Sequence, residues 1–236
     1  MSTRYALYAA PRPGSPLWDF GSRTIGYDAA TGQKITSIPP ENLTPELWAR
    51  LTEEPRRYGF HATLKAPFRL AEGQTETLLC EAVQNLLFRS FFWSAFALKC
   101  TEIGSFLALV PDLNEMEYQK LRDIVAEIVR SLEPFRAPLN DAEMQKRLKA
   151  PLTERQRHQL ENYGYPYIFN DFRFHLTLTG EIADPALRAK VLAALSARFA
   201  PLADTKFEFD SICLFRQLDS QSSFTLLQRF TRQNPS

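Results

Sequence analysis

One eight-residue pattern occurs twice in this 236-residue chain and limits what it can fold into. Tyr58-Gly59-Phe60-His61-Ala62-Thr63-Leu64-Lys65 and Phe172-Arg173-Phe174-His175-Leu176-Thr177-Leu178-Thr179 share the string Phe-His-x-Thr-Leu and use two of the chain's 3 histidines. In a β-strand successive side chains alternate between faces. His61, Thr63 and Lys65 then fall on one face, with Phe60, Ala62 and Leu64 on the other. In the second copy Arg173, His175, Thr177 and Thr179 oppose Phe172, Phe174, Leu176 and Leu178. Each copy reads as a strand with an apolar back to bury and a polar front carrying an imidazole and a hydroxyl.

The segments C-terminal to the two copies repeat as well. After the first, Leu79, Val83, Leu86 and Leu87 have helical spacing over 75–90, and β-like runs at 92–100 and 106–110 flank Gly104 as a hairpin. After the second, Asp184-Pro185 supplies an N-cap and a first-turn proline for a helix with Leu187, Val191, Leu195 and Phe199 on one side. Runs at 206–215 and 224–230 make a second hairpin. The histidines are 114 positions apart, close to half the chain, as an internal duplication of a strand-helix-hairpin unit requires. The expectation is an α+β fold, bilobal and pseudo-twofold. Two antiparallel sheets line a central cleft with helices outside, and the chain forms one domain, 1–236. Its halves are roughly 1–133 and 134–236, with exchange of strands between lobes allowed.

The remaining segments are a first strand at Arg4–Ala10, a Pro- and Gly-rich loop over 11–40, and a short helix opened by Thr44-Pro45. A helix over 114–132 has the capping-box pair Asn114 and Glu117, and two short helices over 141–160 break at Pro151. The last of these regions holds Lys146, Arg147, Lys149, Arg155 and Arg157, which read either as a solvated face or as a site for a phosphorylated ligand. His158 lacks the following Thr and reads as a surface residue.

Composition narrows the function classes. A net charge of +1 gives no footprint of non-specific DNA binding. Cys80, Cys100 and Cys213 are too scattered for a paired-cysteine metal site and read as reduced thiols. No run approaches the roughly 20 apolar residues of a membrane span, and a cytoplasmic monomer is the default. Nucleotide-binding Gly-rich loops, a Gly-x-Ser-x-Gly elbow and zinc-ligand spacing are all missing, and no cofactor or metal is expected.

Two imidazoles across a cleft suit phosphoryl chemistry. One, neutral, takes a proton from water while the other, protonated, gives one to the leaving oxygen. Hydroxyls two residues on, about 7 Å along each strand, can donate to non-bridging oxygens as charge develops. Lys65 and Arg173 share the histidines' parity and are candidates to add positive charge.

His61-Ala62-Thr63-Leu64 and His175-Leu176-Thr177-Leu178 resemble the paired His-x-Thr-x motifs of the two-histidine (2H) phosphoesterase superfamily. The longer strings Arg57 to Lys65, and Gly164-Tyr165-Pro166-Tyr167 through Gly180, resemble a bacterial branch often encoded with genes for phosphonate utilisation. The resemblance implies metal-independent opening of cyclic phosphodiesters, with His61, Thr63, His175 and Thr177 catalytic and Lys65, Arg173, Thr179 and Tyr165 binding substrate. A small cyclic ribose phosphate or nucleotide is the implied ligand. The alternatives are an RNA-end 2′,3′-cyclic phosphodiesterase or 2′-5′ RNA ligase-like enzyme, and a module that binds a phosphate ester without turnover.

Overall fold

The computed structural model describes residues 3–41, 43–90 and 94–231. The chain enters on β1 (Arg4–Ala9) and turns into α1 (Pro16–Ile25), followed by the small hairpin β2 (Tyr27–Asp28) and β3 (Gln33–Lys34). The 11–40 stretch is therefore not the loop its composition suggests. Its Ser, Pro and Gly are helix ends: the Ser15 side chain accepts from the Trp18 N–H, Pro16 sits in the first turn, and Gly26 closes the helix at φ 78°. Between these signals Leu17, Trp18, Phe20 and Ile25 are buried.

Next come α2 (Pro45–Leu51), capped by Thr44, the one-turn α3 (Glu53–Arg56), and β4 (Ala62–Phe68). After α4 (Glu76–Ser90) the chain forms β5 (Ser94–Phe96) and the hairpin β6 (Leu98–Ile103) and β7 (Phe106–Pro111). The expected 92–100 strand thus splits between two sheets, and its first two residues lie outside the described residues. The capping box at Asn114 and Glu117 opens α5 (Glu115–Ser131), and α6 (Asp141–Leu148) and α7 (Glu154–Tyr163) flank Pro151. The last elements are β8 (Leu176–Thr177), α8 (Pro185–Phe199), β9 (Phe207–Phe209), β10 (Ser211–Gln217) and β11 (Thr225–Thr231). The expected 206–215 strand is broken at Asp210.

The second motif makes far less ladder than its pattern suggests. The chain leaves a 3₁₀ turn at Phe169–Asp171, and the Phe174 N–H donates to the Tyr118 hydroxyl at 2.8 Å. Beyond Thr177 the N–H groups of Leu178 and Thr179 both donate to the Leu107 carbonyl. Backbone groups satisfied this way need no long strand.

The fold is α+β and antiparallel, and the main sheet is open, with seven strands in the order β11-β10-β1-β4-β8-β7-β6. Two two-stranded sheets, β2-β3 and β5-β9, complete it. The cleft-flanking strands expected as two sheets are joined through one pair, Ala62 with Leu176. The hairpin that follows β4 in sequence, β6-β7, lies on the β8 side of this seam. The hairpin that follows β8, β10-β11, lies beyond β1 on the β4 side. Helix α8 packs on β6 and β7, α4 on β11, and α5 on β4. These contacts bury Leu79, Val83, Val125, Val191 and Leu195, and burying side chains of this size contributes about 1.5–3 kcal/mol each.

Candidate active site

The seam between β4 and β8 carries both motifs. Antiparallel pairing of Ala62 with Leu176 sets His61 opposite Thr177 and Thr63 opposite His175. Ala62, Leu64, Leu176 and Leu178 are buried, whereas His61, Thr63, His175 and Thr177 are half-buried and line one cleft of about 410 Å³. Directly opposed residues are about 5 Å apart and diagonal ones about 7–8 Å, so the imidazoles flank a space suited to one phosphoryl group.

Each imidazole is held by the same local device. His61 Nδ1 lies 2.9 Å from the Gly59 carbonyl, and His175 Nδ1 lies 2.7 Å from the Arg173 carbonyl. A carbonyl only accepts, so Nδ1 carries the proton in both and Nε2 is left with its lone pair. The intervening Phe60 and Phe174 are each 1% exposed and anchor the backbone from behind. His61 is fixed further by the Tyr8 ring, stacked at 3.5 Å between centroids and 18° between planes. Its Nε2 lies 3.2 Å from Thr63 Oγ1, whose hydroxyl donates to it.

Gly59 has a second role. It sits at φ 81°, and a Cβ there would meet the Ala29 Cβ at 2.6 Å, so only glycine brings its carbonyl under His61.

Burial drives the His61 pKa down to about 3, and His175 lowers it further against the opposing pull of the Gly59 carbonyl. Burial also lowers His175, with the Arg173 charge adding to it and the Arg173 carbonyl opposing. Both imidazoles are therefore neutral near pH 7 in the unliganded protein.

The expected substrate-binding residues divide. Tyr165 lines the cleft. Arg173 is exposed and lines an adjoining chamber of about 880 Å³, which shares Thr63, Phe106, Tyr165 and His175 with the cleft. Thr179 borders the cleft, but it is fully buried and its Oγ1 accepts from the Leu107 N–H at 3.0 Å, which braces it against the neighbouring strand.

Lys65 does not share the histidines' cleft. Its ammonium is buried, 2.8 Å from Glu133 Oε2 and 3.1 Å from the Val129 carbonyl on the α5 side. The reason is a bulge. Tyr8 pairs with Thr63 but Leu7 pairs with Lys65, so Leu64 is an extra residue and strict alternation ends there.

Several cleft residues escaped the sequence reading: Arg4, Tyr8, Tyr58, Ser105, Phe106 and Glu181. Arg4 and Tyr8 share a parity on β1, a signal available in the pattern Arg4-x-x-x-Tyr8. Arg147, read as one member of a basic cluster, also turns into the cleft and stacks over Tyr165, 5.3 Å from its centroid. Arg155, from the same cluster, is paired with Asp171 at 2.8 Å, and His158 is exposed. No group of three or more His, Cys, Asp or Glu side chains able to hold a metal ion occurs among the described residues. Among them, too, no helix is long and apolar enough to cross a membrane.

Two curated relatives span most of this chain. A protein from Janthinobacterium sp. (strain Marseille) named ribose 1,5-bisphosphate phosphokinase PhnN is 33% identical over 235 residues, covering 96% of this chain and 50% of its own length. One of the same name from Laribacter hongkongensis (strain HLHK9) is 28% identical over 231 residues, covering 94% and 50%. The chain spans about half the length of these relatives. A crystal structure of a conserved protein of unknown function from Agrobacterium tumefaciens str. C58 aligns with a TM-score of 0.44 at 12% identity, covering 98% of this chain and 87% of that one. A family profile described as protein of unknown function (DUF1045) matches residues 63–225, most of the chain with Thr63, His175 and Thr177 included, and the protein belongs to that family.

Proposed function

We propose that the protein is a metal-independent 2H-type cyclic phosphodiesterase that opens a small cyclic ribose phosphate. The observation that supports this most is the pair of neutral imidazoles, each held through Nδ1 by the carbonyl two residues before it, on adjoining strands of one cleft. His61, neutral at pH 7 and oriented by the Tyr8 stack, is the base and removes a proton from water through Nε2. The water oxygen bonds to phosphorus, the ring P–O bond breaks, and His175 as imidazolium protonates the departing ribose oxygen. Thr177 donates to a non-bridging oxygen, where charge accumulates, and Thr63 does so once substrate and water displace its hydroxyl from His61 Nε2.

The relatives' name fits a ribose phosphate ligand without carrying kinase chemistry to this chain. That name belongs to proteins about twice as long, and the Gly-x-x-x-x-Gly-Lys-Ser/Thr phosphate loop is absent here. Together with the resemblance to the branch encoded beside phosphonate-utilisation genes, it supports a role in phosphonate metabolism.

The proposal is tested by assaying EDTA-treated protein against ribose 1,2-cyclic phosphate, 2′,3′-cyclic nucleotides and 2′-5′-linked RNA. Turnover highest on the small sugar phosphate is expected. Preference for RNA ends favours the RNA-processing alternative, and silence on all three with retained phosphate-ester affinity favours a binding module.

The mechanism also sets a pH dependence. The acid must be imidazolium, so kcat/KM falls as pH rises past the lowered value of His175 in the free protein. A bound phosphodiester anion stabilises the imidazolium and raises that value. The alkaline limb of kcat should therefore lie at higher pH than that of kcat/KM. Coincident limbs, or profiles flat from about pH 5 to 9 with chemistry limiting, contradict the pair.

A further inference from the structure

We infer that the cleft holds a second anion site, built by Arg4 and Arg147, that binds a non-reacting phosphate monoester on the same substrate. This rests on the phosphodiesterase reading for its choice of substrate, but the site itself is argued from groups that reading does not use.

Arg4 reaches the cleft from β1 and Arg147 from the last turn of α6. Neither guanidinium has a carboxylate partner among the described residues. Arg4 donates from Nε to Gln217 Oε1 at 2.7 Å and lies over the Phe224 ring, which orients the side chain, and its terminal nitrogens make no hydrogen bond among the described residues. Arg147 packs its plane over Tyr165. Burial disfavours the charge on Arg147, and Arg4 adds to this against the opposing pull of Tyr165, Tyr58 and Glu143.

Glu143, whose charge acts on both arginines, is hydrogen-bonded elsewhere. Its Oε2 accepts from Arg69 at 2.7 Å and from the Asn140 N–H at 3.0 Å. Glu54 and Glu181 also line the cleft, both beside Gly180, and neither forms an ion pair with Arg4 or Arg147 among the described residues. Tyr8, Tyr58 and Tyr165 line the same part of the cleft, and no hydrogen bond from their hydroxyls to a described residue occurs.

Two like charges gathered in a half-buried cleft are unfavourable unless an anion joins them. A phosphate monoester near pH 7 carries close to two negative charges and three acceptor oxygens, which match two guanidinium forks and adjacent hydroxyls. The histidines and the arginines line one cleft of about 410 Å³, within the usual range for small-ligand sites. The substrate class is therefore a pentose with a cyclic phosphodiester at one end and a phosphate monoester at the other.

The test compares ribose 1,2-cyclic phosphate with its 5-phosphorylated form, using wild-type protein and the Arg4→Gln and Arg147→Gln variants checked by thermal melting. The 5-phosphate should raise kcat/KM by at least about 100-fold, and each variant should shrink that preference by about 10- to 100-fold. A preference near one, or equal losses on both substrates, overturns the site. Direct calorimetric binding of ribose 5-phosphate separates the two ideas if neither substrate turns over. Binding weakened by both variants then sustains the anion site while the phosphodiesterase reading fails. No binding at millimolar ribose 5-phosphate overturns the site.

Discussion

His61→Ala and His175→Ala should each lower kcat by about 10²- to 10⁴-fold, the usual contribution of a positioned acid or base, with only a modest change in substrate affinity. The double variant should be little worse than the singles, because acid and base act in one proton-transfer sequence and removing either disables it. The assignment of roles can be separated with an activated ester. A leaving group that departs as a stable anion needs no proton, so His175→Ala should recover much of its loss on a p-nitrophenyl phosphodiester while His61→Ala should not. Equal recovery by both variants, or recovery by His61→Ala alone, contradicts the assignment. Tyr8→Ala would act indirectly, since the ring stacked on His61 fixes its orientation without reaching a reacting atom.

Gly21→Ala is expected to be the most disruptive single-methyl change near the site. A Cβ at this position of α1 would fall well inside contact distance of three atoms of the Phe60 ring. Phe60 is 1% exposed and joins Gly59 to His61, so the ring cannot swing into solvent. Alanine favours a helix over glycine by about 1 kcal/mol, but overpacking a filled core costs about 1–3 kcal/mol and more when a ring must move. The overlap wins. The expected result is a net loss of about 2 kcal/mol, read as a Tm lower by about 4–8 °C, together with reduced kcat as His61 shifts. An unchanged melting point with full activity would show that α1 does not brace the first histidine.

The catalytic candidates were legible because each depends on a short local string. Phe-His-x-Thr needs only strand alternation to put imidazole and hydroxyl on one side, and both copies obey it. Helices with explicit end signals were legible for the same reason, as with Asn114 and Glu117 of α5 and Asp184-Pro185 of α8.

The features that escaped depend on long-range pairing. Lys65 follows the histidine's parity on paper, but β1 imposes a bulge at Leu64 and sends the ammonium to Glu133. Arg4 and Tyr8 reach the cleft because β1 lies beside β4, a neighbour 53 or more residues away that no local pattern announces. The helix α1 was hidden by composition, since Ser15, Pro16 and Gly26 serve equally as loop residues and as caps. Arg147 sits in a cluster whose other members face solvent or pair with acids, and only the packing of α6 turns it inward.

The most direct test of the two-histidine mechanism is hydrolysis of ribose 1,2-cyclic phosphate in ¹⁸O-labelled water with EDTA present, followed by ³¹P NMR of wild type and the two histidine variants. The expected result is a phosphate monoester carrying one solvent oxygen, formed by wild type and reduced at least about 100-fold in each variant. Turnover that needs an added divalent ion, or that survives loss of both histidines, would contradict it.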